Sequence, residues 1–94
     1  MKPAEFRFFT VLFKSEEKKT SIDIANVLRH IADKIDTGTM TLKQGSDEIT
    51  IEFPKDMVLE LKVEEEQGKR MKKSFEIELE WMVGDDQKVD TMIL

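Results

Sequence analysis

The residues of this chain whose types and spacing most suggest chemistry are its carboxylates. Glu60 and Glu64 flank Lys62 at two-residue intervals, and Glu76, Glu78 and Glu80 repeat at every second position. Positions two apart in a strand share a face, so both runs place their acids on one side. Paired carboxylates about 5 Å apart can serve as an acid–base pair. A cluster of carboxylate oxygens can also hold a divalent cation or receive a basic partner. No pocket is implied around them. If the two strands pair, Lys62 meets a row of Glu, and unlike charges across a ladder are mildly stabilising. A solvated face accounts for the pattern.

The other reactive residue types are sparse. His30 is the single histidine, set between Arg29 and Ile31. A catalytic base needs a nucleophile or a substrate proton within hydrogen-bond reach, and spacing fixes no such partner beside it. Helical geometry places it at the edge of an apolar stripe. Lys69-Arg70 and Lys72-Lys73 form a basic tip with only Phe75 close by. Binders of single-stranded nucleic acid interleave such residues with aromatics, so a solvated loop tip is the simpler reading. The glycines make no phosphate-cradling loop. Cysteine is absent, which removes disulfides, thiolate metal sites and thiol nucleophiles together.

Composition sets the frame for these residues. The chain has 94 residues, 39% hydrophobic and 37% charged, with a net charge of −5. That is the length of a single domain, one expected to bury roughly two-thirds of its unfolded surface. An acidic chain is repelled by phosphate backbones and anionic lipid, so neither nucleic acid nor membrane is expected as partner. The longest apolar run, Val11-Leu12-Phe13, is far too short to span a bilayer. Glu5 and Arg7 interrupt the N-terminal apolar stretch, with no small-residue cleavage site. The expected setting is cytoplasmic.

The elements that must position these side chains can be read from periodicity. Glu5–Lys14 is aromatic and β-branched and predicts a strand. Its phase is mixed, with Phe6, Phe8 and Leu12 on one face and Phe9, Val11 and Phe13 on the other. A bulge at Phe8-Phe9, or docking of the early segment elsewhere, reconciles the two sets. Thr20 or Ser21 then makes an N-cap, with Asp23 three residues beyond Thr20 in a capping-box position. Ile24, Val27, Leu28, Ile31 and Ile35 recur at helical spacing, and Gly38 is placed to end the helix.

The rest alternates with period two. Met40 and Leu42 precede a turn at Gly45-Ser46-Asp47, followed by Ile49, Ile51 and Phe53 and a stop at Pro54. Met57, Leu59, Leu61 and Val63 alternate with acids. A turn near Gly68 leads to Phe75, Ile77, Leu79 and Trp81. Alternation of this kind marks antiparallel strands with one buried face. The expected fold is α+β with two layers: one amphipathic helix on a four- to five-stranded antiparallel sheet, in the order β-α-β-β-β-β. Residues 1–83 form one domain in this reading, and 84–94 a flexible tail.

The run Val11-Leu12-Phe13-Lys14-Ser15-Glu16-Glu17, the helix Ala25 to Ile35, Gly38, and Phe75-Glu76-Ile77-Glu78-Leu79-Glu80-Trp81 together resemble the amphi-Trp domain family. The resemblance spans about Val11 to Val83. It implies the α+β fold, carries no catalytic residues to these positions and implies no particular activity.

Function is then expected from the surface. No catalytic, cofactor-binding or metal-ligating residue is assigned, and a non-enzymatic protein-interaction or self-assembly module, including a homodimer, is the first reading. Its expected surface is Phe6, Phe8, Phe9, Phe13 and Trp81. Being in phase with Phe75, Ile77 and Leu79, Trp81 also reads as core. The alternative is an accessory domain that takes a small ligand or divalent metal on its acidic sheet face.

Overall fold

In a computed structural model of the chain, residues 7–84 and 93–94 are described. The fold is α+β, with one helix and four antiparallel strands. The chain divides into two compact units, Met1–Phe53 and Pro54–Leu94.

The first unit is a helix on a hairpin. Helix α1 runs Ser21–Thr37. It starts where the sequence predicts: Asp23 N–H donates to Thr20 Oγ1 at 3.2 Å, satisfying one of the donors a helix start leaves open. It stops at Gly38, whose φ of +87° lies in the left-handed region that glycine enters without steric cost. There the Gly38 N–H donates to the carbonyls of Lys34 and Ile35, both at 3.0 Å. Strands β1 (Thr39–Gln44) and β2 (Asp47–Glu52) follow at once, joined by Gly45-Ser46. Gly45 has φ +59° and Ser46 no positive φ, the pattern of a type II′ hairpin turn, whose twist suits the flanking strands.

The apolar face of this hairpin meets the helix. Ile31 and Ile35 of α1 and Met40, Leu42, Ile49 and Ile51 of the strands are half-buried, and α1 packs on β1. On the opposite face the directly paired Thr41 and Thr50 bring their hydroxyls to 2.9 Å. Phe53 N–H donates to Gly38 O at 2.8 Å, tying the end of β2 to the helix terminus.

The second unit is a long antiparallel ribbon, β3 (Val58–Glu66) with β4 (Lys72–Glu80). The alternation read from sequence holds through all four strands.

Two expectations meet a different arrangement. Residues 7–14, the described part of the expected first strand, carry no strand, and the element order begins with the helix. Aromatic and β-branched composition gives a segment strand propensity, but a strand exists only where a neighbour supplies its ladder. The four strands also lie in two two-stranded sheets, β1-β2 and β3-β4. Period-two alternation assigns a face to each residue and leaves the neighbour of each strand open. Most of the expected tail lies outside the described residues.

Candidate interaction surface

The ribbon β3–β4 sorts its side chains by the parity of the sequence. In its register Leu59 faces Leu79, Leu61 faces Ile77 and Val63 faces Phe75. These six share one side, and the alternation carries Met57 and Trp81 onto it at the ribbon's base. The other side holds Glu60 opposite Glu78, Lys62 opposite Glu76, and Glu64 opposite Ser74. An apolar face of this length is what a sheet ordinarily packs under a helix. Here Leu59, Leu61, Val63, Phe75 and Ile77 are each between 48% and 68% exposed. Leu79, Trp81 and Met57 are half-buried. The last two line a cleft of about 290 Å³ at the ribbon's base, with Pro54, Val58 and Met82 also on its walls.

The opposite face has its own electrostatics. Lys62 Nζ sits 2.9 Å from Glu64 Oε1 and 3.2 Å from Glu76 Oε2. Hydrogen bonds from Glu64 and then Glu76 hold its ammonium well above the usual lysine range, because both favour the charged form. Glu78 is pushed above the ordinary carboxylate value, first by the charge of Glu60 directly opposite and then by a hydrogen bond with Glu80. The carboxylates do gather as the sequence suggests. Among the described residues, however, no group of three or more His, Asp or Glu is arranged to hold a metal ion.

A second apolar area lies on the helix. Its stripe is longer than the hairpin beneath it: Ile31 and Ile35 are half-buried, while Ile24, Val27 and Leu28 nearer the N-terminus are 44% to 47% exposed. These three and Ser15, Glu17 and Lys19 line a shallow cleft of about 340 Å³. Lys19 and Glu17 pair at its rim, 3.1 Å apart. His30 stands at the stripe's edge, as helical geometry predicts. It lines a smaller cleft of about 160 Å³ with Val27, Ile31, Lys34 and the β1 residues Met40, Thr41 and Leu42.

The residues singled out from sequence are distributed differently. Phe8 and Phe9 are 90% and 87% exposed in a segment without regular structure. Phe13 is half-buried, and Phe6 lies outside the described residues. Trp81 belongs to the ribbon's apolar side. Sequence reasoning assigned Leu59, Leu61, Val63 and Ile77 to a covered face and so missed them as surface. The available signal was the single helix, too short an element to cover two hairpins' width along its whole length.

Helix, hairpin and two-faced ribbon together define a small α+β module with an open apolar sheet face. The chain belongs to the Amphi-Trp domain family, whose model matches residues 8–93 and so takes in both units. No curated protein and no solved structure matches the chain. Among the described residues no helix is long and apolar enough to cross a membrane.

Proposed function

We propose that this chain is a non-enzymatic protein-interaction or self-assembly module, and that the apolar face of β3–β4 is its working surface. The observation that carries this reading is the exposure of five large apolar side chains in one continuous block. At roughly 100 Å² each they present about 500 Å², toward the upper end of the largest apolar patch on a typical monomer. Such a patch, rimmed by charge, is the composition of a protein-binding face. A net charge of −5 and a carboxylate-rich reverse side favour a protein partner over nucleic acid or anionic lipid.

The test is the molar mass by light scattering over a wide concentration range, for the natural chain and for Leu61→Lys. It is paired with affinity capture, in which any captured protein is purified and its binding titrated. Self-association, or saturable binding of a purified partner, that Leu61→Lys abolishes while helix content is kept would establish the module. A monomer at every concentration that binds nothing reproducibly would end this reading.

A further inference from the structure

Two open apolar areas of matching chemistry occur in one chain, and neither is self-sufficient. A single two-stranded hairpin is at best marginally stable in water, and gains stability by packing its face on a helix or a further strand. The N-terminal half of the α1 stripe is in the complementary position, a helix face with no strand beneath it.

We infer that the β3–β4 ribbon is an exchanged arm: in a two-fold dimer it lies under Ile24, Val27 and Leu28 of a second copy, whose own ribbon returns the contact. This rests on the interaction reading above and names the partner as another copy of the chain. Laid beside β1–β2 of that copy, the ribbon completes a four-stranded antiparallel sheet beneath the helix.

Two further observations support a second copy as the occupant. The first is area. Eight side chains, five on the ribbon and three on the helix, are 44% to 68% exposed. At roughly 100 Å² each they bury on the order of 800 Å² per copy, or about 1,600 Å² in all, the size of a standard stable interface. The second is the connection. Pro54 fixes its own φ and holds Phe53 extended. From Phe53 to Met57 there is a bend at Lys55 and no hydrogen-bonded turn. Short, stiff hinges of this kind favour exchange of an element between copies over its return to the same chain.

The absence of cysteine makes the test clean. Full-length chains carrying Val27→Cys are mixed with chains carrying Leu61→Cys, refolded together and treated with a short bis-maleimide. The expected product is a covalent dimer of unlike chains, from a sample that light scattering finds dimeric. A hinge variant with a flexible Gly-Ser insertion after Pro54 is expected to raise the monomer fraction several-fold with helix content unchanged. Because both cysteine positions are exposed, a failure to fold is guarded against by circular dichroism of each single variant, and Ile24→Cys with Ile77→Cys serves as a second pair.

A dimer in which only Leu61→Cys chains link to one another would overturn the exchange in favour of two ribbons face to face. A monomer in which the Val27→Cys, Leu61→Cys double variant links within one chain would overturn the second copy as occupant. It would leave the broader interaction reading to stand or fall on the binding of a different protein.

Discussion

Lys62 and Glu76 face each other directly across the β3–β4 ladder, with Nζ and Oε2 3.2 Å apart. Lys62 is also 2.9 Å from Glu64 on its own strand, so one ammonium bridges the two edges of an otherwise acidic face. Lys62→Met removes this bridge and leaves carboxylates on all sides. The expected result is a lower melting temperature at low salt, with the difference shrinking as salt screens exposed charges. The pH dependence has a definite sign. The folded-state pKa of Lys62 lies above its ordinary value of 10.5, so its contribution is complete below that value and is lost only as pH rises through the higher one. A variant that melts like the natural chain in low salt would show that the bridge contributes nothing to the ribbon.

Glu78 behaves in the opposite sense. Its pKa is raised above 4.5, chiefly by Glu60 opposite, so the folded chain binds this proton more tightly than the unfolded chain does. The stability gain appears as pH falls through the raised folded value toward 4.5, and at neutral pH the ionised pair is a repulsion. Glu78→Gln is therefore expected to raise the melting temperature at pH 7 and to lose that advantage near pH 4. Melting curves of both proteins at the two pH values decide it. A variant less stable at neutral pH would contradict the assignment.

The helix ends supply a prediction free of charge effects. A Cβ at Gly38 would meet nothing within 4 Å, so Gly38→Ala costs only backbone strain at φ +87°, about 1 kcal/mol. Thr20→Ala loses the bond to Asp23 N–H, again about 1 kcal/mol. Each is expected to lower the melting temperature by roughly 4–8 °C. The positions lie at opposite ends of α1, so the double variant should show the sum. Gly38→Asn, which tolerates the left-handed region better, should fall between glycine and alanine.

A fourth prediction separates the two aromatic groups named from sequence. Phe8→Ser and Phe9→Ser change side chains that are almost fully exposed and are expected to leave both melting temperature and self-association unchanged. Ile77→Lys, on the ribbon's apolar face, is expected to abolish association at concentrations where the natural chain associates. Loss of association in the phenylalanine variants would return the interface to the N-terminal segment.

The sequence was most legible where the determining physics is local. Thr20 and Gly38 bound α1 because capping depends on a few adjacent groups. The two faces of every strand follow from parity alone, which is why Leu61 and Glu60 fall on opposite sides as expected. What sequence could not convey is association. The aromatic run at Phe8, Phe9 and Phe13 has the composition of a strand and lacks a ladder partner among the described residues. The pairing of β1 with β2 and of β3 with β4 followed from short turns, whereas nothing periodic specifies which element covers Leu61 and Ile77. Likewise, the acids at Glu60 and Glu78 were visible as a row, but their repulsion became visible only with the register.

That register has a consequence of its own. A strand whose apolar side is uncovered has little to hold its alignment, because a slip of two residues keeps every side chain on the same face. In β3–β4 the ionised side chains carry that information. The observed alignment sets Lys62 against Glu76, Glu65 against Lys73 and Glu66 against Lys72, with one like-charge pair, Glu60 and Glu78. Sliding two residues one way would bring Glu64 against Glu76 and Glu60 against Glu80; sliding the other way would leave Lys62 opposite Ser74 and set Glu60 against Glu76. Charge order on the wet side thus works as a vernier for the ribbon, fixing its alignment before any partner covers the dry side.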